Sequence, residues 1–219
     1  MAIDTLMLES AGAEEAAFWR FYSWSEPAFT FGYSQKWAWV ENQLTDFSGT
    51  AIRRTTGGGV VDHRDDLTYA LSIPSVHPFH RQEASSLYRT LHQSLAEILL
   101  TLGFPAVLQP CDRSCRDLPP PARGICFLAP EPHDVVHPVS GLKIAGAAMK
   151  RTRSGLLVQG SLSRQALPGL QLQLLQSAFR DKLSEWLQLP SSRLAEPFPD
   201  TRIKSLASGF SRPQWNQRR

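Results

Sequence analysis

The sequence predicts an α+β domain, a mixed or antiparallel central sheet flanked by helices. Three observations point there. Several short segments alternate apolar and polar residues with the period of a strand. Two longer segments place leucines at helical spacing. Strands and helices also follow one another without the regular βαβ alternation that builds a parallel sheet. The 219 residues suit a single domain, 1–219, whose end, 190–219, reads as a basic, proline-rich tail.

Taken in order, Asp4 to Tyr22 sets Leu6, Met7, Ala13, Ala16, Ala17 and Trp19 at helical intervals, interrupted near Gly12 and ended by Pro27. Ala28 to Tyr33 alternates as a half-buried strand, Phe29, Phe31 and Tyr33 on one side, Thr30 and Gly32 on the other. Trp37 to Asn42 reads as a short helix. Thr50 to Thr55 is a strand leading into three glycines, and Leu67 to Ile73 is another, ended by Pro74. Ser85 and Ser86 can cap a helix carrying Leu87, Leu91, Leu95, Ile98, Leu99 and Leu102, which Gly103 stops. Pro110 to Gly124 has no periodicity and reads as a loop. Asp134 to His137, Leu142 to Met149 and Leu156 to Ser163 read as three strands, with a turn at Val139-Ser140-Gly141. Leu172, Leu175, Phe179, Leu183 and Leu187 mark a second amphipathic helix.

Composition removes several classes of function. Hydrophobic residues are 42% and charged residues 20%, an ordinary globular mix. No apolar run approaches the ~20 residues of a membrane helix. The first residues lack the basic start of a signal peptide. A net charge of +3 is too small to imply nucleic acid. Three cysteines, an odd number, fit a reducing cytoplasm better than a disulfide framework. From Asp200 onward five cations (Arg202, Lys204, Arg212, Arg218, Arg219) meet one anion, which reads as a solvated tail or a patch for an acidic protein partner.

The chemistry gathers around the stretch from Ile52 to Ile73. Gly57, Gly58 and Gly59 free the backbone for positive φ and keep Cβ atoms away from a ligand. Arg53 and Arg54 precede them and His63, Asp65 and Asp66 follow. Loop and arginines together read as the floor of a small-molecule site for an anion. Neighbours on a strand point opposite ways, so at most one of the two arginines faces that site.

The run RRTTGGGVVDH, then LTYAL, resembles the arginine-arginine, triple-glycine, histidine motif of the lipoate-protein ligase and octanoyltransferase family. GLKIAGAAMKRTRSGLLVQGSL is similar to that family's second motif, FYSWSEPAFTFGYSQ to its N-terminal segment and WNQRR to its ending. Met149 stands where the family commonly has glutamine or tyrosine, and Gln159 where histidine is common. The histidine-aspartate pair is spread out as His63-Arg64-Asp65. The resemblance implies the fold of the biotin/lipoate protein ligase catalytic domain, closest to the single-domain branch that uses a cysteine.

It also implies site residues. Lys143, flanked by Gly141 and Gly146 and with little carboxylate company nearby, would hold the acyl carbonyl or acyl phosphate and stabilise negative charge. Cys126, just upstream, would be the nucleophile that takes an acyl group from a thioester. Arg53, Arg54, Gly57, Gly58, Gly59, His63, Gly146, Ala147 and Gly160 would bind substrate. The aromatic strand of Phe29, Phe31 and Tyr33 offers a lining for an acyl tunnel. Cys111 and Cys115, with Cys126 and His133, are too loosely spaced for a metal site, and none is assigned.

Three readings follow. An acyltransferase would move octanoyl or lipoyl from acyl-carrier protein to a lysine of a lipoyl-domain protein, such as the glycine-cleavage H protein, through a Cys126 thioester and without a nucleotide. A lipoate or octanoate ligase would instead use ATP and Mg2+ through an acyl-adenylate. A non-catalytic relative would bind an acyl or biotin-like ligand, or form half of a two-chain ligase. All three are cytoplasmic and need neither nucleic acid nor membrane.

Overall fold

The computed structural model describes residues 1–44, 49–110, 130–188 and 198–218. In chain order these form α1 (Ala2–Glu14), β1 (Phe18–Tyr22), β2 (Ala28–Phe31), α2 (Trp37–Gln43), β3 (Thr50–Arg53), β4 (Val60–Asp62) and β5 (Asp66–Pro74). A short 3-10 turn (Pro78–Arg81) leads to α3 (Ala84–Thr101), β6 (Val107–Leu108), β7 (Val135–Val136), β8 (Lys143–Arg151), β9 (Gly155–Ser163), α4 (Leu172–Leu187), α5 (Asp200–Phe210) and α6 (Pro213–Asn216).

Two sheets result. The larger is antiparallel throughout, in the order β1-β5-β9-β8-β7-β6. The smaller is mixed: β2 lies between parallel β3 and antiparallel β4. Central β5 is buried on both faces along its length. Its Leu67, Tyr69, Leu71 and Ile73 meet Leu91, Leu95 and Leu99 of α3 and Phe179 and Leu183 of α4 in the main core. On the opposite face Ala70 packs with Met7 and Ala11 of α1. The period-2 and period-3.6 patterns thus find their apolar partners in one another.

Four expectations are corrected. The N-terminal helix stops at Glu15, which takes left-handed φ of 53°, and Phe18–Tyr22 is a strand. There Trp19 and Phe21 project toward Phe179, while Phe18 turns toward α1. Gly12 does not interrupt α1; a Cβ there would stand 2.8 Å from the Ser154 carbonyl, so the glycine lets the helix lie on the β8–β9 turn. Ser85 and Ser86 fall inside the first turn of α3, whose N-cap position is Glu83. The tail is not merely solvated. Pro213 opens α6 at a position where its missing N–H costs nothing, and Arg202 pairs with Glu9 of α1 at 2.6 Å. No helix among the described residues is long and apolar enough to cross a membrane.

Candidate active site

Where the small sheet faces β8 and β9, a cleft of about 410 Å³ opens, a size suited to a small ligand. Thr30 of β2, Val61 of β4 and the loop at Gly58 and Gly59 form one wall. Lys143, Gly146, Ala147 and Ala148 of β8 and Gln159, Gly160 and Ser161 of β9 form the other. The register that seats Ala147 opposite Gly160 brings these two segments side by side. Gly160 is required because the Tyr69 ring lies where its Cβ would be, 2.1 Å from the Tyr69 Cζ.

Lys143 has a carboxylate partner, contrary to the expectation from its neighbours in sequence. Its Nζ lies 2.7 Å from Asp134 Oδ2, and the two side chains are 5% and 0% exposed. The strand irregularity at Val135/Val136 adjoins this pair. Asp134 also accepts the hydroxyl of Tyr88 and, at 2.6 Å, the N–H of Glu131. Tyr88 in turn accepts the N–H of Ala147 at 3.0 Å. Burial first, then the Asp134 charge, pushes the Tyr88 hydroxyl well above its ordinary range, so it remains a donor. The carboxylate is therefore saturated by donors, as a buried charge requires.

Arg53 and Arg54 part company. Arg54 lines the cleft and folds back on its own loop, donating to the Gly57 carbonyl at 2.6 Å and the Gly59 carbonyl at 2.9 Å. The loop thus turns these oxygens to the arginine. Gly58 takes φ of +89°, and a Cβ on it would meet Arg54 at 2.7 Å. Arg53 points away from the cleft and does not line it, a correction to its placement among the substrate-binding residues. Its guanidinium donates to the carbonyls of Tyr33, Gln35, Trp215, Asn216 and Arg218, fastening the C-terminal segment under β3. Gly57 lies behind the wall as an acceptor for Arg54.

His63 is held at both ring nitrogens. Its partner is Asp66, at 2.7 Å from Nδ1, and not Asp65. Thr30 Oγ1 accepts from Arg54 at 3.2 Å and shares a hydrogen bond with His63 Nε2 at 2.7 Å. Trp24 stacks on the imidazole at 4.7 Å. Asp66, His63, Thr30, Arg54 and the glycine carbonyls form one chain of hydrogen bonds along the cleft wall.

The aromatic strand faces the other way from the tunnel expected of it. Phe29 and Phe31 pack with Val40 and Val60, so Thr30, on the opposite side of β2, reaches the cleft. Tyr33 stands outside, 44% exposed. Cys126, Cys111 and Cys115 lie outside the described residues; the His133 carbonyl accepts from His92 Nδ1 at 2.8 Å. Among the described residues no three His, Cys, Asp or Glu side chains converge on a metal position.

Residues 1–212 match the family profile of the lipoyl protein ligase A/B catalytic domain. The chain belongs to this family. It is 33% identical over 171 residues to octanoyltransferase LipM of Anoxybacillus flavithermus, over 74% of this chain and 59% of that relative. It thus spans less than two thirds of that relative's length. Lipoate-protein ligase A bound with ATP superposes with a TM-score of 0.66 at 18% identity, over 98% of this chain and 93% of the other. A bi-partite lipoate protein ligase studied with its E2 lipoyl domain, from Thermoplasma acidophilum, gives 0.64 at 18% identity, over 99% and 92%. At such identities these two likenesses establish the fold.

In this member of the lipoyl protein ligase A/B catalytic domain family, reasoning from sequence missed Asp134, Tyr88 and Thr30. Asp134 stands nine residues before Lys143 and meets it only through the β7–β8 pairing. Tyr88 is the fifth residue of a helix whose sequence signal is its leucines. Gln159, a departure from the family pattern in sequence, donates to Asp4 at 2.6 Å and accepts from Thr56 at 2.9 Å, tying α1 to the cleft.

Proposed function

We propose that this chain is an acyltransferase of lipoate metabolism. It moves an octanoyl or lipoyl group to a lysine of a lipoyl-domain protein through a thioester on Cys126. One observation carries the reading: a chain 33% identical to an octanoyltransferase holds the lysine of its second motif, Lys143, at the wall of an acyl-sized cleft. Burying an octanoyl chain at ~0.8 kcal/mol per methylene supplies about 5 kcal/mol, enough to dominate substrate binding.

The chemistry balances without a nucleotide. The Cys126 thiolate attacks the thioester carbonyl of octanoyl-acyl-carrier protein, and the carrier's thiolate leaves and takes a proton. A neutral acceptor lysine then attacks the new thioester, loses a proton and becomes an amide as the Cys126 thiolate departs. Each tetrahedral intermediate carries an oxyanion, which the Lys143 ammonium stabilises. Asp134 holds that ammonium in place, and Arg54, braced by Thr30 and His63, keeps the glycine wall against the acyl chain. An H protein of glycine cleavage fits as acceptor, in the cytoplasm.

The test supplies apo lipoyl domain with octanoyl-acyl-carrier protein and no ATP, or with octanoate and ATP-Mg2+, and weighs the product. The expected result is a mass gain of one octanoyl group without ATP that vanishes in Cys126→Ala. Modification that needs ATP and survives that substitution would replace this reading with the ligase, in which Cys126 is structural.

A further inference from the structure

A partly exposed cationic cluster stands at the rim of the cleft, outside the machinery described above. Its centre is Tyr33. Arg218 lies over that ring at 3.7 Å and donates to the Tyr33 carbonyl at 3.2 Å. Lys150 Nζ approaches the same ring at 5.3 Å, and Trp215 meets it edge-on at 6.0 Å. Lys150 is two residues beyond Ala148 on β8 and so continues the strand face that lines the cleft. Gln35, two residues after Tyr33, donates to the Gly58 carbonyl at 3.0 Å, and both line the cleft. The cluster is therefore joined to the mouth from two sides.

Among the described residues no carboxylate compensates its charge. Among the described residues Arg20, Arg64, Lys143, Arg202, Arg180 and Lys182 each pair with a carboxylate. No such pair involves Lys150 or Arg218 among the described residues. The hydrogen bond and charge of Arg218 lower the Tyr33 hydroxyl from its ordinary value, with Lys150 and Arg53 adding to the effect. On the far side of Lys143 a second depression carries Asp62 and Asp65 around Arg64. The two approaches to Lys143 thus differ in sign: basic past Tyr33, acidic past Asp65.

We propose that Tyr33, Lys150 and Arg218 dock an acidic carrier protein by the phosphodiester of the arm that bears the acyl thioester. Cations without carboxylates, beside an aromatic ring, suit a phosphoryl group and an acidic surface. Lys150 and Lys143 lie seven residues apart on one strand, about 23 Å at ~3.3 Å per residue. A long flexible arm spans that distance, while free octanoate does not. The acidic depression is left for the cationic lysine of the acceptor. This inference rests on the acyltransferase reading.

The test compares wild type with the Lys150→Glu, Arg218→Glu double variant. Donors are octanoyl-carrier protein, octanoyl-coenzyme A and octanoyl-pantetheine, which lacks phosphate. The expected result is a KM for the carrier-borne donor raised at least about tenfold with kcat within about twofold, and a loss of the wild type's salt sensitivity. Octanoyl-pantetheine kinetics should not change. An effect on coenzyme A as large as that on the carrier would overturn the carrier as the partner. So would a rise in KM for the lipoyl domain in place of the donor, or an equal loss with all three donors. Affinity for the carrier without its acyl group is measured separately. Should the wild type transfer nothing from any thioester, the function proposed above fails, and unchanged carrier affinity in the double variant sinks the docking site by itself.

Discussion

Asp134 and Lys143 form a buried ion pair at the cleft wall, 2.7 Å between Oδ2 and Nζ, on residues that the β7–β8 turn brings together. The pair fixes the cation to which the proposed acyl transfer assigns the oxyanion, and it makes Asp134 answerable to direct tests.

Asp134→Asn should leave the Lys143 ammonium buried without its counter-charge. The expected loss is about 3–5 kcal/mol of stability together with acyl transfer. Adding Lys143→Met should restore most of the stability and none of the activity, read by denaturant unfolding and by product mass. If the double variant is as unstable as the single one, the ion pair is not what stabilises this wall.

Gly146→Ala probes the same pair without touching either charge. The new Cβ would lie 2.6 Å from Lys143 Cε and 2.9 Å from Asp134 Oδ1, so the lysine must move. A displacement near 1 Å at a reacting centre costs on the order of 100-fold in rate. Transfer should fall by about that factor while the circular dichroism spectrum stays native; unchanged transfer would remove Lys143 from the chemistry.

The two arginines should separate cleanly. Arg53→Lys exchanges a fork that reaches five carbonyls for a single ammonium, costing about 2–4 kcal/mol and freeing the C-terminal segment to proteolysis. Arg54→Lys should spare the tail and weaken acyl binding through the loosened glycine loop. Limited proteolysis and substrate KM, measured on both variants, distinguish the two roles, and an identical pattern from both would contradict the assignment.

His92 predicts an acid limit. Burial lowers its imidazole to about 4, against an ordinary value near 6.5. Its Nδ1–H donates to the His133 carbonyl, beside Asp134. The folded state keeps this ring neutral while the unfolded chain protonates it, so the unfolded state binds more protons between those values. Stability is then complete above pH ~6.5 and declines as pH falls toward 4, by up to about 3 kcal/mol. Thermal melts across that range should show the slope, and His92→Gln should reduce it; an unchanged slope would assign the acid sensitivity elsewhere.

Much of the fold is legible in residue spacing. Leu87, Leu91, Leu95 and Leu99 announce α3, and Leu172 through Leu187 announce α4, because a helix buries one stripe and that stripe recurs in sequence. Phe18–Tyr22 was not legible as a strand. Its alternation is short and blends into the helix before it, and only pairing with β5 decides between the two. The tail misled for a related reason: its prolines and charges look like punctuation until Arg53 gathers its carbonyls.

By itself the sequence determined the candidates for the site, because glycines in series, an arginine pair and a lysine between small residues keep their properties wherever they fold. Tertiary structure alone decided which way they face and what they touch. Strand pairing set Asp134 beside Lys143, and alternation sent Arg53 to the tail and Arg54 to the cleft. It put Thr30, not its aromatic neighbours, in the wall. A side chain's direction on a strand is fixed by its partners across the sheet, and those belong to other elements of the chain.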